Sequence, residues 1–156
     1  MNMKIFLVQH GQAMTASEDP LRPLTPEGVD SVRRIAAWAR HAAVGVMQIR
    51  HSGKLRAEQT AQILAEPLKP PGGIISVSGL GPNDDVVAVG RMAAKELANS
   101  MLVGHLPFLS RLAGFLVTGN PEIQVVRFCN AGIVCLLEEK GSWSINWVMT
   151  PDLLAE

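Results

Sequence analysis

Runs of apolar residues and stretches of helical periodicity alternate along the first three quarters of the chain. The run Ile5-Phe6-Leu7-Val8 is apolar at every position, which is typical of a strand buried on both faces inside a parallel sheet. Shorter runs predict further strands over residues 44–49, 74–77 and 101–104. Apolar residues at helical spacing predict a helix after each of these four strands, over about 25–41, 54–66, 86–97 and 107–116.

The remainder of the chain has a different character, because no helical stretch separates its apolar runs. Residues 125–128, 133–138 and 143–148 are predicted strands, separated by the turn sequences Asn130-Ala131-Gly132 and Lys140-Gly141. Four strand–helix units followed by strands alone predict an α/β fold. We expect a three-layer sandwich with a mostly parallel central sheet, helices on both faces and one antiparallel edge region near the C-terminal hairpin.

The composition fits one globular domain over residues 1–156, with 47% apolar residues and a formal net charge of +0. A balanced charge gives no overall basic field, so nucleic acid is not an expected partner. No stretch approaches the roughly 18 apolar residues of a membrane span, and the N-terminal pattern is not that of a signal peptide. We therefore expect a cytoplasmic protein without a membrane partner, whose oligomeric state the sequence leaves open.

The two cysteines, Cys129 and Cys135, lie six positions apart around a turn, with neither a CxxC spacing nor a partnered histidine. A zinc site is therefore not expected, and a disulfide would require the strands of the two residues to align. We predict that both are free thiols in or near the core.

Two of the four histidines follow predicted strands at equivalent positions. His10 comes after the first strand and is followed by Gly11, which lets the backbone turn where a side chain would obstruct it. His105 follows Gly104 at the end of the strand over 101–104. Ligands of open α/β sheets bind beyond the carboxyl ends of the strands, so both histidines are expected at one candidate site. A single strand-end histidine could equally be a hydrogen-bonded loop residue; the second copy of the pattern favours a site.

Arg56 lies in the first turn of the helix after the second strand, at the same predicted edge of the sheet. A cation is poorly matched to the dipole of a helix N-terminus, but that terminus with an arginine beside it is a good anion site. Considered alone, Arg56 could be a solvent-exposed side chain. Together with two imidazoles it predicts a pocket of phosphoryl size.

The arrangement resembles the histidine phosphatase superfamily (phosphoglycerate mutase-like), and more narrowly its small SixA-type phosphohistidine phosphatases. The resemblance extends over nearly the whole chain, in the same order and spacing, without a long insertion. Its most specific elements are the Arg-Ala-x-Gln-Thr-Ala run and the second Gly-His pair. The segments that carry it are residues 7–11, 22–28, 52–61, 103–107 and 147–151.

The resemblance implies that His10 attacks phosphorus and becomes transiently phosphorylated. His105 and Arg56 would then hold the phosphoryl oxygens, and Gln9 and Gly11 would complete the phosphate-binding set. Neutral His10 must present a lone pair, so its other ring nitrogen needs an acceptor, for which a backbone carbonyl is expected. The reaction requires neither a metal nor a cofactor.

Gln9 departs from the family pattern, which has arginine immediately before the nucleophile. Glutamine keeps donors but loses the charge and the two-pronged geometry. The difference between a charge-assisted and a neutral hydrogen bond is about 1–2 kcal/mol, so the transition state is stabilised on the order of tenfold less. Reduced phosphatase activity is expected, and a catalytically inactive phosphate-binding module is the alternative.

The sequence does not identify an acid that protonates the leaving group. Asp84 and Asp85 follow the third strand and could approach the edge of the site, although N-capping of the next helix is the simpler interpretation. Ser52 lies near the same edge as a possible substrate contact. A phosphoramidate whose nitrogen carries a proton leaves more easily than an alkoxide, so a phosphorylated histidine-containing protein is the favoured substrate. A small phosphorylated molecule is the second hypothesis.

Overall fold

The structure, a computed structural model, describes residues 2–154. The strands and helices alternate as predicted through the first four pairs, and two strands and a short 3-10 helix (Pro151–Leu153) follow. In chain order the elements are β1 (Met3–Gln9), α1 (Pro26–His41), β2 (Gln48–His51), α2 (Leu55–Leu68), β3 (Ile74–Ser76), α3 (Val86–Glu96), β4 (Ser100–Gly104), α4 (Phe108–Thr118), β5 (Ile133–Glu139) and β6 (Ser142–Met149).

The six strands form one sheet in the order β3-β2-β4-β1-β5-β6. Strands β1 to β4 pair in parallel, whereas β5 runs antiparallel to both β1 and β6. This confirms the predicted α/β architecture with a mostly parallel sheet and an antiparallel edge region. The parallel part requires crossover helices, and these supply the two outer layers.

The side chains of β1 alternate between two hydrophobic cores, one on each face of the sheet. Phe6 and Val8 pack into the core under α1 and α2, while Ile5 and Leu7 pack into the core under α3 and α4. All four side chains are at most 2% exposed. Burial on both faces explains why this strand is a continuous apolar run, and confirms that helices cover both sides.

One predicted strand and two predicted element boundaries were wrong. Residues 125–128 do not form a strand: Val125, Val126 and Phe128 pack against the core under α3 and α4 through their side chains, in an irregular segment before β5. Strand β2 begins only at Gln48, because residues 44–46 form a loop. Helix α2 extends beyond its predicted end at residue 66, a boundary that we expected because proline follows at position 67: Pro67 lies inside the last turn, and the helix ends where Lys69 adopts a left-handed conformation with φ 47°.

The register of the sheet places the ends of β1, β4 and β2 side by side. Gln9 pairs with Gly104, and His51 pairs with Val103. The residues that follow these strands therefore emerge at one edge of the sheet, next to the N-terminus of α2. This is the edge at which the sequence predicted a site.

Candidate active site at the carboxyl edge of the sheet

The structure brings His10 and His105 together, with their ring centroids 5.0 Å apart and the ring planes inclined by 53°. The two residues are 9% and 2% exposed. Their backbones are tied together as well, because the N–H of His10 donates to the carbonyl of Gly104 at 3.1 Å. Residues 95 positions apart in sequence thus form one rigid pair.

His10 is held as a neutral imidazole with a defined tautomer. Its Nδ1 lies 2.7 Å from the carbonyl oxygen of Gly11. A carbonyl only accepts, so Nδ1 carries the proton and Nε2 presents a lone pair. The pKa of His10 is lowered to about 4. Burial is the largest cause, the hydrogen bond to Gly11 opposes it by raising the pKa, and the charges of Arg56 and Arg22 lower the pKa further. The ring nitrogen on the other side from Nδ1 therefore carries a free lone pair at neutral pH.

The loop that carries His10 is fixed from two sides. The N–H of Gly11 donates to Thr60 Oγ1 at 3.0 Å, and Asn130 Nδ2 donates to the carbonyl of His10 at 2.9 Å. Gly11 is required for space and not for its torsion angle, because a Cβ there would lie 2.7 Å from a methyl group of Val32. The backbone of residue 11 therefore lies directly against α1.

The first two turns of α2 explain the Arg-Ala-x-Gln-Thr-Ala motif residue by residue. Arg56 reaches the cleft, and Gln59 accepts a hydrogen bond from the N–H of Leu24 at 2.8 Å. Thr60 accepts from Gly11 and donates to the carbonyl of Arg56 at 2.8 Å. The two alanines, Ala57 and Ala61, are fully buried in the core under this helix. One helix end thus positions the guanidinium and both neighbouring loops.

Arg22 lines the same cleft, a role that the sequence did not indicate beyond its place in a family segment. Its backbone has the uncommon φ of 50°, and its Nε donates to the carbonyl of Met14 at 3.0 Å. Its charge lowers the pKa values of His10, Arg56 and His105. The cleft therefore holds a second guanidinium, supplied by a loop without periodicity.

The cleft has a volume of about 410 Å³, and none of the described residues that line it is a carboxylate. Within residues 2–154 neither Arg22 nor Arg56 forms an ion pair with a carboxylate. Buried polar atoms on three lining residues make no hydrogen bond in that part of the chain: Gln9 Oε1, Arg56 Nε and His105 Nδ1. Two unneutralised cations and unsatisfied polar atoms around one space form a site for an anion. Among the described residues, no group of three or more His, Cys, Asp or Glu side chains could hold a metal.

The remaining predicted site residues have other neighbours. Ser52 Oγ lies 2.6 Å from His105 Nε2, and Ser52 is not among the residues that line the cleft around His10. Asp84 accepts from the N–H of Gly81 at 2.7 Å, and Asp85 caps α3 by accepting from the N–H of Val87 at 2.9 Å. Neither carboxylate belongs to the lining of the cleft around His10. Asp85 is therefore the N-cap of α3, as the simpler interpretation of the sequence has it, whereas Asp84 makes a loop contact and does not cap the helix.

Comparison with known proteins agrees with this geometry. The chain is 30% identical over 154 residues to the phosphohistidine phosphatase SixA of Escherichia coli (strain K12), covering 96% of this chain and 94% of that protein. The structure of the protein histidine phosphatase SixA complexed with tungstate superimposes with a TM-score of 0.85 at 30% identity, covering 98% and 100% of the two chains. A SixA-type structure from Agrobacterium tumefaciens has the same fold, with a TM-score of 0.76 at 20% identity over 96% and 98%. No family model matches the chain.

The fold and the paired histidines define the class of protein as the histidine phosphatase superfamily. Within that superfamily, the identity to SixA over nearly both whole chains shows that this chain belongs to the SixA family. The resemblance noted in the sequence is thereby confirmed. Both cysteines are free thiols, as predicted. Within residues 2–154 the helices are all too short or too polar to cross a membrane.

Proposed function

We propose that this protein, acting as one domain over residues 1–156, removes phosphoryl groups from histidine residues of a partner protein. The observation that carries the proposal is a buried imidazole with a free ring nitrogen that lines one cleft with two guanidiniums, where residues 2–154 place no carboxylate in the lining. Family membership supports it, because the relative of known activity is a phosphohistidine phosphatase.

In the first step, the lone pair of His10 Nε2 attacks phosphorus. The new bond from nitrogen to phosphorus forms as the bond from phosphorus to the substrate nitrogen breaks. Arg56 and Arg22 stabilise the charge on the equatorial oxygens. The proton on His10 Nδ1 remains there, hydrogen-bonded to the carbonyl of Gly11. In the second step, water attacks phosphorus of the phosphorylated His10 and the bond from Nε2 to phosphorus breaks. Both water protons leave with inorganic phosphate, and His10 returns to a neutral ring with its proton on Nδ1.

The composition of the cleft supports a phosphoramidate as substrate. An imidazole that carries a proton on its other nitrogen leaves as a neutral ring, so no acid from the enzyme is required. An alkoxide leaving group needs a proton in the transition state, and a positioned acid is worth about 10² to 10⁴ in rate. The part of the chain that the structure describes places no such carboxylic acid in the cleft lining. Phosphohistidine is thus favoured over an alkyl phosphomonoester.

The rim of the cleft supports a protein as the carrier of that phosphohistidine. Leu106 lines the cleft and is 41% exposed, and Leu21, which precedes Arg22, is 71% exposed. Exposed apolar side chains of this size beside a polar site are suited to contact with a protein surface. We place the reaction in the cytoplasm, a compartment in which the two free thiols remain reduced.

The test compares turnover of a phosphorylated histidine-containing protein with turnover of a phosphoserine peptide. We expect the phosphohistidine protein to be hydrolysed about a hundredfold faster, because hydrolysis of the phosphoserine peptide is slowed by the missing acid. When the reaction is stopped without acid, labelled phosphate should remain covalently bound to the wild-type protein and not to the His10→Ala variant. His41→Ala, at an exposed histidine at the end of α1, is the matched control and should keep the label.

The other outcomes are informative. Faster hydrolysis of the phosphoserine peptide would favour a small-molecule phosphomonoesterase. Binding of tungstate without turnover of either substrate would favour an inactive phosphate-binding module, in which Gln9 has removed too much transition-state stabilisation.

A further inference from the structure

The hydroxyl of Ser52 makes a short contact with the second histidine of the site. Its Oγ lies 2.6 Å from Nε2 of His105, which is buried, while Ser52 itself is half-buried. Ser52 lies in the turn between β2 and α2, whereas His105 follows β4. The contact therefore joins two loops that the parallel pairing of β2 with β4 brings side by side.

The direction of this hydrogen bond follows from the surroundings of Ser52. The backbone N–H of Lys54 donates to the same Oγ at 3.4 Å. The oxygen has a second lone pair, but within residues 2–154 the hydroxyl proton has no hydrogen-bond acceptor other than His105 Nε2, which makes Ser52 the donor to the imidazole. Nε2 then accepts, and a neutral ring must carry its proton on Nδ1.

The other ring nitrogen of His105 has no hydrogen-bond partner among the described residues. Nδ1 is buried and makes no hydrogen bond with any residue that the structure describes. The ring lines the cleft beside His10, 5.0 Å away between centroids. A buried N–H without an acceptor costs free energy, and a phosphoryl oxygen entering the cleft would satisfy it.

We propose that Ser52 is a positioning residue that fixes His105 as the Nδ1–H tautomer, so that this residue meets the phosphoryl group as a neutral N–H donor. The proposal rests on the proposed function for the identity of the anion. In the opposite tautomer, Nδ1 would present a lone pair to the negatively charged oxygens and repel them. Burial first, and then the nearby positive groups, lower the pKa of His105 to about 3, so the ring stays neutral at physiological pH.

The tautomer can be measured without turnover, by the ¹⁵N chemical shifts of the His105 ring at pH 7. A protonated ring nitrogen and a bare one resonate far apart. We expect the wild type to show protonated Nδ1 and bare Nε2, and inorganic tungstate to shift the Nδ1 signal. In Ser52→Ala the ring should move toward the Nε2–H form that imidazole favours in water. A wild-type ring with protonated Nε2, or an unchanged tautomer in Ser52→Ala, would overturn the proposal.

The kinetic consequence is measured on the same variants. Ser52→Ala should lower kcat/KM on the order of tenfold, since one hydrogen bond to the phosphoryl group is misdirected. Ser52→Thr keeps the hydroxyl and should keep both tautomer and rate. Ser78→Ala removes an exposed hydroxyl from the neighbouring loop and should change neither. Equal loss of rate in the alanine and threonine variants would count against the hydroxyl as the cause.

The two proposals fail in different ways. If the wild type hydrolyses no phosphorylated substrate, the proposed function fails, while the ring shifts and their response to tungstate still report the tautomer. If turnover is present but the ring is protonated on Nε2, the role of Ser52 fails alone.

Discussion

Thr60 holds the loop that carries His10 through its contact with Gly11. The N–H of Gly11 donates to Thr60 Oγ1 at 3.0 Å, and the same hydroxyl donates to the carbonyl of Arg56 at 2.8 Å. Thr60 is fully buried. A single side chain in α2 therefore couples the residue beside the nucleophile to the residue that carries a guanidinium.

Thr60→Val is expected to lower the free energy of unfolding by about 1–3 kcal/mol, because it leaves the N–H of Gly11 buried without an acceptor. The rate should also fall, since the His10 loop loses one of its two side-chain anchors. Urea unfolding and kcat/KM measure the two effects. Thr60→Ser retains the hydroxyl and should lose less of both; a valine variant as stable and active as the serine variant would contradict this role.

The sequence identified the parts of the site that follow regular elements. His10 and His105 could be placed together because each follows a buried strand, and parallel strands end at one edge of a sheet. Arg56 could be placed there because a helix begins at that edge. Hydrophobic periodicity is strong in exactly these elements, so their ends are well defined.

Residues in loops could not be placed in the same way. Arg22 reaches the cleft because its backbone adopts a left-handed conformation and its side chain is tied to the carbonyl of Met14. Asn130 was recognised only as part of a turn, although it donates to the carbonyl of His10. These positions depend on contacts between segments that are distant in sequence, and no local pattern encodes them. The strand predicted over residues 125–128 was wrong for a related reason, because an apolar run predicts buried side chains but does not show whether its backbone pairs with another strand.

Gln9 and Arg22 should be energetically coupled, because both line the cleft and the family arginine is missing at position 9. Gln9→Arg is expected to raise kcat on the order of tenfold by restoring a charged hydrogen bond to the transition state. Arg22→Gln should lower kcat about ten- to a hundredfold for the converse reason.

The double variant tests whether the two positions share one task. If Arg22 supplies the charge that Gln9 lacks, removing it in the Gln9→Arg background should cost less than removing it from the wild type, as a double-mutant cycle measures. Additive effects would show that the two side chains act independently. An unchanged or lower turnover in Gln9→Arg would count against contact between residue 9 and the phosphoryl group.

The titration of His10 should depend on Arg56. Burial is the main cause of the lowered pKa of His10, about 4, and the Arg56 charge adds to it. Arg56→Met removes a cation that disfavours the imidazolium, so the His10 midpoint should rise while remaining below the ordinary value of about 6.5. An NMR titration of the ring protons measures it. Arg91→Met, at an exposed position on α3, is the control and should leave the midpoint in place.

Stability should fall as the pH drops below about 6.5, the pKa of histidine in the unfolded chain. The folded-state pKa values of His10 and His105 are about 4 and about 3, and burial also lowers that of His51. Between these values and 6.5 the unfolded state binds more protons than the folded state, so the free energy of unfolding rises with pH. Each of the two cleft histidines contributes up to about 1.4 kcal/mol per pH unit in that window.

Urea unfolding at pH 7.5 and pH 5.5 should therefore give a difference of about 2–3 kcal/mol in favour of the higher pH. The double variant His10→Gln/His105→Gln should lose most of this difference, since glutamine does not titrate. His41→Gln, at an exposed position, should keep it. A wild-type protein equally stable at both pH values would show that the two imidazoles accept protons in the folded state as readily as in the unfolded chain. That result would remove the physical basis for a neutral His10 nucleophile at low pH.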